Sequence, residues 1–464
     1  MIKLLPHQQE AMEQTAGQKN IAVYHDMGLG KTFTGSEMMC RFGCRINLVV
    51  CQKSKVEDWV YHFKKHYTTY QGEWVTPPRV YNLTNKNDFE VFMVAVNEKM
   101  NLKNHCYLNV VGVINYELAW RRKFLLQLTD FCLMLDESSL IQNKTAKQTK
   151  FILKLQPSHV ILLSGTPVGG KYENLWTQLH LMGWDISEKL YEKQYVNWTL
   201  TEDDGSGIRH RIVDKDDPYK NIDRLKRKMR EYGAVFKKTE ECFQLPEQTF
   251  TKVTVKPSKE YKKFQKDCII VMDTMNLQEF HDDSDFNGED ITPRVELVGD
   301  TTLTKLLYSR QLCGHFNKDK LDAFGDLVES TQDRLIVFYS FNSELEALKK
   351  ICHQLGRPTS EINGHCKDLT AYEQETDSVT LCQYQSASKG LNLQKCNRII
   401  YFTLPLSSED FEQSKKRIHR IGQERPCFYY LMICKGTVEE QILQTLETRR
   451  DFTDELFKER NEPK

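Results

Sequence analysis

A short apolar run, a glycine-containing loop and a helix-compatible segment follow one another near the start of the chain. The apolar run covers residues 21–24, the loop at residues 25–32 reads HDMGLGKT, and the helical pattern continues to about residue 41. This order of strand, loop and helix is the one that a phosphate-binding loop requires. Gly28 and Gly30 can adopt positive φ angles, so the loop amides can turn toward phosphate oxygens at the positive end of the helix.

Two side chains of this loop are suited to a nucleoside triphosphate. We expect Lys31 to reach the terminal phosphates and the hydroxyl of Thr32 to hold magnesium. The full form of the motif has glycine at its first position, where this chain has His25. A glycine-rich turn without a ligand is the alternative interpretation, so the rest of the chain has to decide between the two.

Short apolar runs alternate with helical patterns through the first half of the chain, and the same rhythm resumes near residue 335. This alternation predicts an α/β fold with parallel sheets that are covered by helices on both faces. The predicted strands of the first half are residues 21–24, 46–51, 110–114, 131–135 and 160–163. Those of the second half are residues 335–339, 379–384, 398–402 and 428–433.

Length and composition bound the class of protein. The chain has 464 residues, enough for two or three hydrophobic cores, so we expect several domains. Its 64 basic residues balance its 64 acidic residues, so a contact with nucleic acid must come from a local patch. The 14 cysteines form no CxxC pair, which favours free thiols in a reducing compartment over a zinc site or disulfides. With no apparent signal peptide or membrane span, we expect the cytoplasm of a bacterium or of a phage-infected host.

Polar residues follow the predicted strands at the points where the strands end. Residues 131–135 lead directly into Asp136 and Glu137. Ligands of parallel sheets bind at these ends, so one acid can anchor magnesium while the other orients a water molecule for attack on the γ-phosphate. A solvated acidic turn is the alternative. The SGTP sequence at residues 164–167 follows another strand and is a candidate sensor of the nucleotide state.

The order of these motifs resembles that of the Swi/Snf-type ATPases, the Snf-two family of helicase superfamily two. The resemblance covers nearly the whole chain. The segments that carry it are LPHQ at residues 5–8, DMGLGKT at 26–32, LVVCQKSKVEDW at 48–59, NYE at 115–117, the acidic pair at 136–137, GLNL at 390–393 and QSKKRIHRIGQ at 413–423.

The resemblance implies a nucleotide site that uses ATP and Mg²⁺. Gln8 would read the adenine base, Lys31 would contact the terminal phosphates, and Glu137 would act as the catalytic base. The residues implied to bind ATP are Gln8, Asp26, Met27, Gly28, Leu29, Gly30, Lys31, Thr32, Asp136 and Gln413, with Thr32 and Asp136 as the ligands of Mg²⁺. The family usually continues the acidic pair with Ala and His, where this chain has Ser138 and Ser139. This departure keeps both acids that ATP chemistry needs. It changes the fourth residue of the motif, here Ser139, which makes the usual coupling contact in the family.

The segment at residues 413–423 is predicted to be helical. On a helix, Gln413, Arg417 and Arg420 fall at i, i+4 and i+7 and share one face, so both guanidinium groups can project into one cleft. From the residues alone, a basic helix that faces DNA or solvent is the alternative. In the resembled family, the two arginines are fingers that reach the γ-phosphate from the second lobe, so we expect the catalytic site to be complete only when the lobes close.

The resemblance also implies two RecA-like lobes with helical protrusions between the motifs. We expect an ATP-binding lobe over residues 1–240 with a helical insertion at about 185–235, and a C-terminal lobe over residues 241–464 with an insertion at about 258–310. Basic residues cluster in and after the first insertion, where a phosphate-contacting face and a solvated helix are both open interpretations. The cluster consists of Arg209, Arg211, Lys220, Arg224, Lys226, Arg227, Lys228, Arg230, Lys237 and Lys238.

The implied function is that of a DNA-dependent ATPase that translocates along double-stranded DNA through backbone contacts, without reading the base sequence. One alternative is a helicase of the same superfamily that separates the strands of DNA or RNA. Another is a nucleotide-gated scaffold that binds DNA with negligible turnover. The presence of Glu137, Arg417 and Arg420 argues against the scaffold, because a pure switch does not need all three. No membrane partner is expected.

Overall fold

The computed structural model describes residues 3–67, 69–70, 73–74, 77–98, 109–202, 209–273, 294–387 and 393–457. The chain divides into two compact units, of which the first comprises Met1–Gln244 and Asp451–Lys464 and the second comprises Leu245–Arg450. The boundary between residues 244 and 245 lies four residues beyond the division predicted from the sequence. None of the helices in the described part of the chain has the length and apolar composition that a membrane span requires.

A parallel sheet forms the centre of the first unit. The strands of this unit are β1 (Asn20–His25), β2 (Ile46–Cys51), β3 (Thr69–Tyr70), β4 (Glu73–Trp74), β5 (Arg79–Asn82), β6 (Val110–Asn115), β7 (Phe131–Asp136), β8 (His159–Leu163), β9 (Trp198–Glu202), β10 (Arg209–Val213) and β11 (Ala234–Lys237). Seven of them pair in parallel in the order β11-β1-β8-β7-β2-β6-β5. Two antiparallel pairs, β3 with β4 and β9 with β10, lie outside this sheet.

Helices cover both faces of this sheet. They are α1 (Pro6–Gln14), α2 (Lys31–Phe42), α3 (Val56–His66), α4 (Lys86–Asn97), α5 (Tyr116–Ala119), α6 (Lys147–Ile152), α7 (Trp176–Leu181), α8 (Glu188–Tyr195), α9 (Ile222–Glu231) and α10 (Thr239–Cys242), with 3-10 turns at Lys53–Lys55, Lys123–Gln127, Ser138–Ile141 and Tyr172–Asn174. Successive strand residues point to opposite faces. In β1, Ala22 and Tyr24 pack into one core while Ile21 and Val23 pack into the other. Burial on both faces explains why the strand appears in the sequence as a continuous apolar run.

The insertion at residues 185–235 is only partly helical. Helices α8 and α9 are present, but the antiparallel pair β9–β10 lies between them. Leu200 is 69% exposed, and Arg209 and His210 are also exposed. A hairpin whose side chains face solvent lacks the apolar alternation by which a half-buried strand is recognised, so the sequence pattern did not predict it.

The end of the chain belongs to the first unit, whereas the sequence-based boundary placed it in the second lobe. The hydroxyl of Tyr172 donates to the carbonyl of Phe452 at 2.5 Å, and Lys226 forms an ion pair with Glu455 at 2.9 Å. Phe457 is buried in the core of the first unit. These contacts join residues far apart in sequence, so local patterns carry no signal for them.

A second, mostly parallel sheet forms the centre of the second unit. The strands are β12 (Gln248–Val255), β13 (Ile269–Asp273), β14 (Arg294–Val298), β15 (Leu335–Tyr339), β16 (Thr359–Ile362), β17 (Lys367–Asp368), β18 (Val379–Gln383), β19 (Arg398–Tyr401) and β20 (Cys427–Cys434). The order in the sheet is β12-β20-β19-β15-β18-β16-β17. Among the described strands of this sheet, β16 and β17 pair in antiparallel fashion and the other neighbours pair in parallel. Strands β13 and β14 form a separate antiparallel pair. The predicted α/β fold with two mostly parallel sheets is therefore confirmed.

The helices of the second unit cover both faces of its sheet. They are α11 (Lys259–Asp267), α12 (Thr302–Cys313), α13 (Lys318–Glu329), α14 (Asn342–Gln354), α15 (Thr370–Gln374), α16 (Tyr384–Ala387), α17 (Ser408–Lys415) and α18 (Val438–Phe457), the last of which continues into the first unit. Thr437 caps α18, because its hydroxyl oxygen accepts a hydrogen bond from the amide of Glu439 at 3.3 Å.

Candidate active site

The predicted phosphate-binding loop connects β1 to α2. Gly28 has a φ angle of +86° and Gly30 one of +70°, the left-handed conformation that the sequence predicts for both. Gly30 is the N-cap residue of α2, so the loop delivers its backbone to the positive end of that helix. This is the backbone geometry that an anion-binding loop needs.

Lys31 lies against the loop that it follows. Its Nζ atom donates to the carbonyl of His25 at 2.9 Å and to that of Asp26 at 3.2 Å. Gly165 of the SGTP segment approaches it closely, since a Cβ atom built on this glycine would stand 3.4 Å from Nζ. The lysine and the SGTP segment therefore lie next to each other. The hydrogen-bond partners of the ammonium group are uncharged carbonyls, so its positive charge is not neutralised and can attract a phosphate.

Two side chains of α1 hold the loop. The Nε2 atom of Gln8 donates to the carbonyls of Leu29 at 3.3 Å and Gly30 at 3.1 Å, and its Oε1 atom accepts from the amide of Leu5 at 2.8 Å. The Nε2 atom of His7 also bonds to the carbonyl of Leu29, at 2.9 Å, and must carry the proton because a carbonyl can only accept. Gln8, which was predicted to read adenine, thus braces the loop backbone in this structure.

Asp26 fixes the start of the loop. One of its carboxylate oxygens accepts from the amide of Met27 and the other from the hydroxyl of Thr239, both at 2.9 Å. The amide of Asp26 donates to the carbonyl of Lys237 at the end of β11, also at 2.9 Å. Thr239 was not among the predicted site residues, because a lone threonine at a helix start gives no sign of a partner more than two hundred residues away.

His25 occupies the position where the full loop motif has glycine. Its side chain is buried, and burial lowers the pKa of His25 to about 3, with Lys31 and His7 adding to the shift. The imidazole is therefore neutral at physiological pH and adds no repulsion beside the lysine. This substitution is compatible with the loop because the carbonyl of His25, and not its side chain, contacts Lys31.

The acidic pair lies at the carboxyl end of β7. The Nε1 atom of Trp59 in α3 donates to a carboxylate oxygen of Asp136 at 2.8 Å, and the hydroxyl of Tyr116 donates to the Asp136 carbonyl at 2.9 Å. Burial raises the pKa of Asp136, while the bond from Trp59 and the charge of Lys31 oppose that rise. Trp59 and Tyr116 lie in segments that carry the family resemblance, but a local sequence pattern contains no information on their contacts with Asp136.

Glu137 breaks the strand that Asp136 ends. Its φ angle of +52° lies in the left-handed region, which costs a residue with a side chain about 1–2 kcal/mol. The chain then enters the 3-10 turn Ser138–Ile141, where the amide of Leu140 donates to the Glu137 carbonyl at 3.0 Å. Strain of this kind persists only where neighbouring contacts determine the conformation, and it is common at functional sites.

The SGTP segment is attached to the strand that leads into the phosphate-binding loop. The amide of Ser164 donates to the carbonyl of Val23 at 3.3 Å, and the amide of Thr166 donates to the Ser164 hydroxyl at 3.1 Å. Both Ser164 and Thr166 are buried. The structure therefore brings the loop, the acidic pair and the SGTP segment together at the carboxyl edge of one parallel sheet.

The predicted helical face through Gln413, Arg417 and Arg420 is wrong, because α17 ends at Lys415. Beyond it the amide of Arg417 bonds to the carbonyl of Ser414, three residues earlier, at 3.2 Å. The Arg417 carbonyl accepts from the amide of Leu393 at 3.2 Å, so it is used outside any helix. A tertiary contact thus ends a helix that local propensity would continue.

The two arginines and Gln413 lie within the second unit. Gln413 is buried, and its Nε2 atom donates to Glu409 at 3.1 Å. Arg417 is 7% exposed, while Arg420 is half-buried in an environment that lowers its pKa by desolvation. Of the predicted GLNL segment, residues 390–392 lie outside the described part of the chain, and Leu393 is buried.

Much of the predicted basic cluster is engaged in ion pairs within the first unit. The pairs are Lys226 with Glu455, Lys237 with Glu10, Lys238 with Asp454, Lys228 with Glu231 and Arg211 with Glu192. Lys220, Arg224 and Arg227 are exposed. The structure therefore reduces the surface available for phosphate contacts to a part of the cluster.

Known proteins with similar sequences are named as ATP-dependent helicases or DNA repair proteins. YwqA of Bacillus subtilis, provisionally named an ATP-dependent helicase/translocase, is 24% identical over 70% of this chain and 36% of its own length. The DNA repair and recombination protein RDH54 of Saccharomyces cerevisiae is 22% identical over 90% of this chain and 47% of its own length. The chain thus spans less than half the length of both relatives.

A solved structure is similar over most of the chain. It is the SWI2/SNF2 ATPase core of Sulfolobus solfataricus in complex with double-stranded DNA, with 18% identity, a TM-score of 0.41, and coverage of 97% of this chain and 92% of that chain.

Two family profiles match consecutive parts of the chain. The SNF2-related domain matches residues 11–318, and the helicase conserved C-terminal domain matches residues 319–422. The first match alone covers well over half of the sequence. The chain therefore belongs to the SNF2-related family, as the order of its sequence motifs predicts.

Proposed function

We propose that this protein is an ATP-driven motor that translocates along double-stranded DNA. The observation that carries the proposal is the meeting of Lys31, the acidic pair and the SGTP segment at one sheet edge in a chain of the SNF2-related family. Phosphoryl transfer needs a positioned cation, a base for water and a site that binds the phosphates. Each of these has a candidate residue at that edge.

The residues of the first unit have distinct proposed roles. The backbone from Met27 to Lys31 binds the phosphates, and the Lys31 ammonium group neutralises the terminal ones. Glu137 accepts the proton of the attacking water. Gln8 acts through the loop that it braces, so its proposed contact with adenine has to form without loss of the bonds to Leu29 and Gly30, or in exchange for them.

A magnesium ion fits the donors that the first unit offers. Thr32 and Asp136 supply a hydroxyl and a carboxylate, and Mg²⁺ prefers oxygen ligands. Asp136 is held in place by Trp59 and Tyr116, which suits an ion that demands near-ideal geometry. Held by Thr32 and Asp136, Mg²⁺ would supply positive charge to offset that of the phosphates.

Arg417 and Arg420 are proposed to stabilise the transferring phosphate in the hydrolysing state. Arginine fingers raise rates by about 10³ to 10⁵, or roughly 4 to 7 kcal/mol of barrier. Because these residues belong to the second unit and Lys31 to the first, hydrolysis would depend on a conformational change driven by ATP. That dependence would turn a cycle of binding and hydrolysis into movement.

Double-stranded DNA is the proposed track. The relative RDH54 is named a DNA repair and recombination protein, which favours DNA over RNA. Contacts to the phosphate backbone position a motor without sequence reading, and the exposed Lys220, Arg224 and Arg227 are candidates for some of them.

The test is the rate of ATP hydrolysis measured in parallel with duplex DNA, single-stranded DNA and RNA. We expect the largest stimulation with duplex DNA and a loss of stimulation as salt rises. Lys31→Ala is the control, because it removes the loop cation and should abolish turnover in a folded protein. Equal rates for the two proteins would remove the loop from the mechanism, and stimulation by RNA alone would exclude DNA as the track.

A further inference from the structure

A glutamine side chain lies in the interior of the first unit. Gln178 is the third residue of α7 and is fully buried next to Leu179, a member of the hydrophobic core. A buried amide is costly unless its polar atoms are hydrogen-bonded. The position of Gln178 therefore depends on the partners that its amide finds.

The amide of Gln178 contacts three separate segments of the candidate site. Its Oε1 atom accepts from the hydroxyls of Tyr24 at 3.0 Å and Ser138 at 2.8 Å. Its Nε2 atom donates to the carbonyl of Pro167 at 2.6 Å. Because a carbonyl can only accept, the NH₂ group must face Pro167, and the oxygen must face the two hydroxyls.

The three partners lie at the ends of three neighbouring strands. Tyr24 is in β1, just before the phosphate-binding loop. Ser138 directly follows Glu137, and Pro167 closes the SGTP segment after β8. Strands β1, β8 and β7 are adjacent in the sheet, so a single side chain spans the edge where nucleotide is proposed to bind.

Helix α7 holds the acidic turn at a second point. The hydroxyl of Thr177 donates to the carbonyl of Ile141, the last residue of the 3-10 turn that Ser138 begins, at 2.9 Å. Glu137, just before this turn, has the left-handed backbone that neighbouring contacts must maintain. Ser138 contributes to that support through its hydroxyl, which the alanine usual at this position in the resembled family would lack.

We propose that Gln178 is a positioning residue that couples the acidic turn to the SGTP segment through Ser138, and so keeps Glu137 in the conformation required for hydrolysis. The inference rests on the proposed ATP hydrolysis and adds a route by which the SGTP segment and the catalytic acid influence each other. Tyr24 bonds to the same oxygen of Gln178 from β1 and not from the acidic turn, so its bond stabilises the amide without supporting the turn.

The test compares three single variants of the full chain, Ser138→Ala, Tyr24→Phe and Gln178→Leu. The first two each remove one hydroxyl from the same amide oxygen, which makes them a matched pair. We expect Ser138→Ala to lower kcat of the DNA-stimulated ATPase by about tenfold with KM for ATP changed by less than about twofold. Ser138→Ala and Tyr24→Phe should lower the urea midpoint of unfolding to a similar extent. Tyr24→Phe, however, should change kcat by less than about twofold.

Gln178→Leu should lower kcat at least as much as Ser138→Ala. Adding Ser138→Ala to it should then have no further effect, since the bond is already absent. Equal effects of Ser138→Ala and Tyr24→Phe on kcat, or additive effects of the Ser138 and Gln178 changes, would overturn the positioning role. Absence of hydrolysis by the unaltered chain with every nucleic acid would overturn the proposed function, and this inference with it.

Discussion

Alanine at Gly30 should destabilise the first unit more than alanine at Gly28. Both glycines have positive φ angles, so an added Cβ costs about 1–2 kcal/mol at either position. At Gly28 nothing lies within 4 Å of that Cβ, whereas at Gly30 it would stand 2.5 Å from the Nε2 atom of Gln8. Gly30→Ala must therefore also displace the Gln8 side chain.

The displacement can be expressed as lost hydrogen bonds. Gln8 would give up its bonds to the carbonyls of Leu29 and Gly30, each worth about 0.5–1.5 kcal/mol. The expected cost of Gly30→Ala is thus roughly 2–5 kcal/mol, against about 1–2 kcal/mol for Gly28→Ala. In a Gln8→Ala background the steric term disappears, so Gly30→Ala should then cost about as much as Gly28→Ala.

Urea unfolding followed by tryptophan fluorescence measures this difference. All 6 tryptophans of the chain precede residue 244, so the signal reports on the first unit. A steric clash with Gln8 would be excluded if Gly30→Ala cost no more than Gly28→Ala, or if the Gln8→Ala background left the cost of Gly30→Ala unchanged.

Three further predictions concern the catalytic residues. Trp59→Phe removes a hydrogen bond to the Asp136 carboxylate, worth about 1.5–3 kcal/mol. In a Mg²⁺ titration of nucleotide binding, the apparent affinity for the ion should therefore fall by at least about tenfold. Trp176→Phe, which removes a bond to the carbonyl at residue 186, is its control and should leave that titration unchanged. Glu137→Gln should bind ATP, measured with a fluorescent analogue, but not hydrolyse it. A variant that neither binds ATP nor folds would show the acid to be structural. Arg417→Ala and Arg420→Ala should each lower DNA-stimulated kcat at least tenfold with little change in nucleotide affinity, and a parallel loss of affinity without a loss of turnover would contradict the finger role.

The strands of the two sheets could be predicted from the sequence because most of them are buried on both faces. Each predicted strand lies within one residue of its observed bounds, as the runs at 46–51 and 335–339 show. Strands at the edges of the sheets were missed. β5 consists of half-buried residues, and most of β12 is exposed, so neither forms a continuous apolar run.

The loop conformation could be predicted, but the contacts that hold it could not. Positive φ at Gly28 and Gly30 follows from residue type and motif. The bonds from Trp59 to Asp136 and from Thr239 to Asp26 join residues that are far apart in sequence, and local pattern contains no information on them.

The end of α17 shows how tertiary contacts override local preference. The sequence after Lys415 contains no proline or glycine before Gly422, so a continued helix was the natural expectation. Ile418 is fully buried, and the carbonyl of Arg417 bonds to Leu393, a pairing that a regular helix would not allow. At Gln178, the spacing of leucine and tryptophan in the surrounding sequence indicates core packing. That pattern does not indicate the hydrogen bond between the Gln178 side chain and Ser138.

In the proposed function, ATP drives this protein along duplex DNA without separating the strands. Base-pair stacking costs about 1.4 kcal/mol per step, so separation needs an element inserted between base pairs, and none of the matched motifs supplies one. The most direct test is to measure displacement of a third strand from a triplex alongside release of a strand from a forked duplex. We expect ATP-dependent triplex displacement that Glu137→Gln abolishes, and no release from the fork. Efficient fork unwinding without triplex displacement would contradict it and favour a strand-separating helicase.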